Sequence, residues 1–164
     1  MKCLIIDGYN AISKIEEFDA KKDISLEASR LSFIKALADF GHRNRSFDKI
    51  IVVFDGRSES MGLGRETYGG IEVLFSNNGK DADKVIIDML KISSGKNKVM
   101  VASDDNSIKN HSRAFSCETM SIEKLEDLII LKKKAQKSKI IEKDIGDKDQ
   151  DAITNELKKY WGVK

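Results

Sequence analysis

Cys3-Leu4-Ile5-Ile6-Asp7-Gly8-Tyr9-Asn10 is the stretch whose reading decides the fold. Four apolar residues in an unbroken run suit a strand buried on both faces, as parallel sheets require. The run stops at an acid, and the Asp-Gly pair directly behind it starts no hairpin. The pattern recurs. Ile50-Ile51-Val52-Val53-Phe54 ends at Asp55, and Val99-Met100-Val101-Ala102-Ser103 is followed by Asp104 and Asp105. Asp81 and Asp83 sit where a loop opens a helix. In an open parallel sheet the C-terminal strand ends share one edge, and ligands bind in the crevice outside it. Carboxylates gathered there repel one another unless a cation lies between them. Hard cations such as Mg²⁺ take oxygen ligands from carboxylates, water and phosphate. The pattern therefore predicts a divalent-metal site at a sheet edge, with phosphodiester hydrolysis as its natural chemistry.

Working outward, strands and helices alternate. Residues 25–40 read as a helix, with Leu31, Ile34 and Leu37-Ala38 at helical spacing, Asp23 or Ser25 as the cap and Gly41 as the stop. Residues 56–70 hold five of the eleven glycines together with Arg57, Arg65 and Tyr68, and read as a mobile loop. Ile71-Glu72-Val73-Leu74-Phe75 is a third strand. Residues 82–92 carry Val85, Ile86, Met89 and Leu90 on one helical face, closed by Gly95. A fourth strand covers Val99 to Ala102, and a short fifth is expected near Ala114-Phe115. Ser121 caps a helix bearing Leu125, Leu128 and Ile129. This alternation argues for an α/β fold with a parallel sheet covered on both faces.

Size and charge fit one intracellular domain of 164 residues, large enough to hold a core without staples. Cys3 and Cys117 sit in apolar runs and read as free thiols, with no metal-ligand spacing to another Cys or His. No apolar stretch approaches a membrane span and no signal-type segment opens the chain, so a cytoplasmic location away from membranes is expected. The net charge is only +2, but residues 132–164 carry ten lysines against six acids, and the rest of the chain is mildly acidic. A nuclease body over residues 1–131 with a lysine-rich helical extension over 132–164 packed on it fits this split. In the extension, Ile153, Leu157 and Tyr160-Trp161 form a stripe suited to docking.

Each acid also has a plain structural reading. Asp55-Gly56 is a common turn pair, Asp81 can cap a helix, Asp83 suits the positive end of its dipole, and Asp104 or Asp105 can cap the segment that follows. Their joint occurrence after three strands outweighs these readings. His42 and His111 lie in polar surroundings and read as surface residues. Gly62-Leu63-Gly64-Arg65 lacks the third glycine of a nucleotide loop, and no small-molecule cofactor is evident.

Ile5-Ile6-Asp7-Gly8-Tyr9-Asn10, Val52-Val53-Phe54-Asp55-Gly56, Asp81-Ala82-Asp83 and Ala102-Ser103-Asp104 together resemble the YacP-like NYN-domain proteins, which belong with the PIN-like nucleases. The likeness runs in order over most of residues 1–131 and includes Arg30 and Ala36-Leu37-Ala38-Asp39. It implies a three-layer α/β/α PIN-like (NYN) domain and a metal-dependent endoribonuclease, with one branch of the family cutting mRNA on the ribosome. The family's acidic site maps to Asp7, Asp55, Asp83 and Asp104, with Asn10 beside them. Asp81 and Asp105 go beyond that pattern.

From the chemistry, Asp7 and Asp104 are the first candidates to ligate Mg²⁺ or Mn²⁺, with Asp83 entering from the facing helix start. Asp81 and Asp105 are further candidates, and Asp55 could complete the set. Asn10 could orient Asp7 or a phosphate oxygen. Arg57, Arg65, Tyr68, Lys132, Lys133, Lys134, Lys137 and Lys139 are candidates for holding RNA, by phosphate contact or base stacking. Against the nuclease stand a non-catalytic module that binds RNA or the ribosome, and a dehalogenase-type phosphatase. The first has no use for mutually repelling acids. The second needs an acid two residues after Asp7, where Tyr9 stands.

Overall fold

The computed structural model describes residues 1–56, 65–76, 81–95 and 98–131. The expectations for Arg57, for Lys132, Lys133, Lys134, Lys137 and Lys139, and for the extension they belong to lie outside the described residues.

Six described strands form one sheet: β1 (Lys2–Asp7), β2 (Lys49–Asp55), β3 (Arg65–Tyr68), β4 (Ile71–Ser76), β5 (Lys98–Ala102) and β6 (Glu118–Met120). They lie in the order β3-β4-β2-β1-β5-β6. Every neighbouring pair is parallel except β3 with β4. The helices are α1 (Gly8–Lys14), α2 (Glu16–Asp19), α3 (Leu26–Arg43), α4 (Ala82–Ser93), α5 (Asn106–Ala114) and α6 (Ile122–Glu126).

Alternation along the strands divides the core into two faces. Ile5, Ile51, Val53, Val99 and Val101 meet Ala82, Ile86 and Leu90 of α4 and Ile108 of α5. On the opposite face Ile50 lies under Gly41 of α3, and Phe54 lies under Gly8 of α1. A Cβ at Gly8 would stand 2.4 Å from two carbons of the Phe54 ring, so α1 can start this close to the sheet only on a glycine. The result is the expected α/β/α domain with a mainly parallel sheet.

The caps follow the sequence closely. Ser25 accepts the Ala28 N–H at 2.9 Å and Ser121 accepts the Lys124 N–H at 3.2 Å. Three expectations need correction. Gly41 does not stop α3, which runs on to Arg43; the glycine has no positive φ and sits within the helix over Ile50. Residues 65–68 are not loop: they pair antiparallel with β4 through a tight turn at Gly69-Gly70, both at positive φ. A Gly-Gly pair between Tyr68 and Ile71 is a hairpin signal. The last strand is not at Ala114-Phe115 but at Glu118–Met120, because Asp105 caps a helix that buries Ile108 and Ser112 and continues to Ala114.

Candidate active site

The parallel register brings the strand ends together. Asp7 pairs with Val53, Asp55 pairs with Ser76, and Ser103 follows directly on the Ile6–Ala102 pair. Asp7 is buried, with 8% of its surface exposed. Its carboxylate caps α1 by accepting the Asn10 N–H at 3.4 Å, and it accepts the Ser103 hydroxyl at the same distance. Burial pushes its pKa up to about 6, helped by the charges of Asp83 and Asp105, while the Asn10 and Ser103 bonds pull the other way. Asp83, on the first turn of α4, is also raised. Burial is the main cause, followed by repulsion from Asp105, Asp81 and Asp55.

Asp83 thus stands in the field of Asp105, Asp81 and Asp55, and Asp7 in that of Asp83 and Asp105. Asp81 occupies the N-cap position of α4, but its side chain makes no capping bond. Asp55 accepts the Ser76 hydroxyl at 2.8 Å, and the same hydroxyl receives the Gly56 N–H at 3.2 Å. Asp105 caps α5 by accepting the Ile108 N–H at 3.0 Å, and its own N–H donates to Ser103 Oγ at 3.1 Å.

Asp104 is placed differently. Its carboxylate pairs with Lys14 at 3.1 Å and Lys109 at 3.8 Å, and it accepts the Ile122 N–H at 3.2 Å. Partial burial raises its pKa, but Lys14, the Ile122 bond and Lys109 outweigh that and hold it below the usual carboxylate range. Asn10 Oδ1 accepts the Asp104 N–H at 3.0 Å, so the amide ties α1 to the loop after β5. Asn10 stands at the acids as expected. Its acceptor is engaged with backbone.

Tyr68 is not brought to this edge, and Arg65, opposite Leu74 of β4, turns its guanidinium to Glu72 instead. Tyr68 pairs with Ile71 at the N-terminal end of β4. His111 is exposed and bonds to the Ser107 carbonyl at 2.8 Å. Sequence reasoning missed Ser103 and Ser76, polar residues at strand ends that hold Asp7 and Asp55. It also missed Lys14 and Lys109, which neutralise Asp104. No spacing rule marks a lysine on one helix as the partner of an acid some ninety residues away in the sequence.

The donor set suits a hard cation: carboxylates, a hydroxyl and an amide, all oxygen at the ligating end. Among the described residues, no group of three His, Cys, Asp or Glu side chains could by itself hold a metal ion. That is compatible with Mg²⁺, which is usually bound through one or two carboxylates completed by water and substrate phosphate.

The YacP-like NYN domain model matches residues 4–162. The chain belongs to the YacP-like NYN family. Its likeness to solved structures supports the same fold. A crystal structure of Rae1 (YacP) from Bacillus subtilis superposes with a TM-score of 0.69 at 21% identity, covering 99% of this chain and 93% of that one. A point mutant of the same Bacillus subtilis protein gives 0.65 at 21% identity, covering 84% and 80%. Among curated proteins none matches. In this YacP-like chain, the Asp-Gly-Tyr-Asn motif forms the β1–α1 junction that places Asp7 and Asn10 at the sheet edge. No helix among the described residues is long and apolar enough to cross a membrane.

Proposed function

We propose that the protein is a metal-dependent endoribonuclease, acting on mRNA, whose site is the acidic edge around Asp7, Asp83 and Asp105. The observation that carries this reading is the buried Asp7, raised to about 6 and surrounded by acids that repel it and one another. Membership of a PIN-like nuclease family supports RNA as the substrate class. Mg²⁺ or Mn²⁺ bound here would relieve the repulsion, shield the phosphate charge and activate water for attack. Asp7 and Asp83 are the first residues that would hold it, with Asp105 next and Asp81 and Asp55 at the rim. Asn10 and Ser103 fix Asp7, while Asp104 braces the site through Lys14 and the start of α6. Lys132, Lys133, Lys134 and Lys137 supply affinity for RNA phosphates without reading sequence.

The test is to incubate end-labelled mRNA, free and on translating ribosomes, with the protein and with Mg²⁺, Mn²⁺ or chelator. Internal cuts that require the metal are expected. Cuts confined to the ribosome-bound arm would assign the ribosome as partner. Tight binding with no cut in either arm would instead make the protein a non-catalytic RNA-binding module.

A further inference from the structure

Arg30 stands outside the acidic cluster and takes no part in holding it. It lies on the second turn of α3 and is half-buried. Its guanidinium carbon sits 5.5 Å from the centroid of the Phe75 ring, and its Nη1 donates to the Tyr9 hydroxyl at 3.4 Å. Tyr9 packs on Phe54 with centroids 5.1 Å apart, and Phe54 stacks on Phe75 at 5.8 Å and 29°. The three rings form a row that fixes the guanidinium from below. Among the described residues no carboxylate lies within ion-pair distance of Arg30.

The place of this row matters. Phe54 immediately precedes Asp55, Phe75 is its register partner, and Tyr9 is two residues beyond Asp7. Phe54 faces α1, whereas Val53 faces α4, so the row reaches the same sheet edge as the acids from the opposite face. A half-buried cation with no counter-charge among the described residues is suited to an anion, and a guanidinium presents a planar fork of donors matched to phosphate. The aromatic face and the phenol hold it in one orientation, which lowers the entropy lost on engaging an anion.

We infer that Arg30, positioned by Phe75 and Tyr9, forms a phosphate subsite that grips the RNA backbone beside the bond to be cut. The inference rests on the nuclease reading for its substrate, and its test is a binding measurement separate from cleavage. Affinity of a single-stranded RNA oligonucleotide would be measured in chelator, across a salt series, for the parent protein, Arg30→Gln, Arg30→Lys and Tyr9→Phe. Melting curves would verify the fold of each variant. Arg30→Gln should weaken binding about tenfold, as loss of a charge-assisted hydrogen bond implies. It should also flatten the slope of log affinity against log salt by about 0.7, the value for one phosphate on a single strand. Arg30→Lys should keep the slope and lose part of the affinity, because the charge stays and the fork goes. Tyr9→Phe should weaken binding less than Arg30→Gln at unchanged slope.

A methylphosphonate moved along the oligonucleotide should weaken the parent at one position and leave Arg30→Gln indifferent there. If Arg30→Gln folds poorly, Arg30→Lys supplies the comparison, with a smaller loss than the parent shows at that one position. Equal affinity and slope in parent and folded Arg30→Gln, with the same methylphosphonate-sensitive positions in both, would overturn the subsite. An Arg30-dependent salt slope in a protein that never cuts RNA would leave the subsite standing and remove the nuclease reading. A parent that binds no RNA either in chelator or with Mg²⁺ would remove both.

Discussion

Asp7 is held at the sheet edge at a cost in stability. Its carboxyl is raised from 3.8 to about 6, mainly by burial. Between about pH 4 and pH 6 the folded protein keeps a proton that the unfolded chain has released. Stability of the metal-free protein therefore falls as pH rises through that window, and the penalty is complete above about pH 6. The shift corresponds to about 3 kcal/mol at most. Asn caps a helix as well as Asp and carries no charge. Asp7→Asn should then melt with the parent near pH 4 and above it at pH 7–8 in chelator. Melting curves that stay parallel across this range would contradict the origin assigned to the shift. The neighbouring acids give a second contrast. Asp104 is braced by Lys14, Lys109 and the Ile122 N–H, and its lowered pKa means stability that is present at neutral pH and lost in acid. Asp104→Asn should cost about 1 kcal/mol at pH 7 and lower the melting temperature by a few degrees. Asp105→Asn keeps a capping oxygen for Ile108 and relieves repulsion on Asp7 and Asp83, so it should leave stability nearly unchanged while cutting metal-dependent cleavage. If the two variants exchange these phenotypes, Asp104 is the ligand and Asp105 the brace.

Gly8 tests how the first element is assembled. Alanine would gain about 1 kcal/mol of helix propensity, but its Cβ would meet the Phe54 ring at 2.4 Å. Overpacking against a buried ring costs typically 1–3 kcal/mol, and here the clash should win because Phe54 is itself stacked on Phe75 and packed against Tyr9. Gly8→Ala should lower stability by about 1–2 kcal/mol, and adding Phe54→Leu should recover part of it. Additive losses in that double-mutant cycle would show that the clash is not the cause. The strands β1, β2, β4 and β5 and the helices α3 and α4 were legible because burial on two faces, or on one helical stripe, writes itself into the spacing of apolar residues. Edge strand β3 was not, since all four of its residues are exposed and carry no apolar pattern. Its one signal was the Gly69-Gly70 turn. Strand β6 was displaced for a similar reason, with Met120 its only buried residue. The placement of Asp7, Asp55 and Asp104 at strand ends was legible from the apolar runs before them. The different partners of Asp104 and Asp105 were not, because adjacent residues beyond a strand end diverge, and the lysines paired with Asp104 come from α1 and α5.

At the scale of the whole molecule, the acidic edge and the lysines of residues 132–139 are assigned separate tasks. Replacing Lys132, Lys133, Lys134, Lys137 and Lys139 with Gln should weaken RNA binding and flatten its salt dependence, by up to about 0.7 in slope for each phosphate no longer neutralised. The single-turnover rate at saturating RNA should stay close to the parent's, and a collapse of that rate with the fold intact would place the lysines in the active site. The central proposal is that the edge around Asp7 uses a divalent cation to cut RNA. It is tested most directly by the single-turnover cleavage rate of a defined RNA, at saturating protein, as Mn²⁺ is titrated from chelator upward, for the parent and for Asp7→Asn. The parent rate should start at zero and saturate with metal. The variant should bind the RNA as tightly but cut at least about a hundredfold more slowly at every metal concentration, a loss of roughly 2.7 kcal/mol in barrier lowering. A parent rate indifferent to chelator, or a folded Asp7→Asn that cuts as fast as the parent, would contradict the claim.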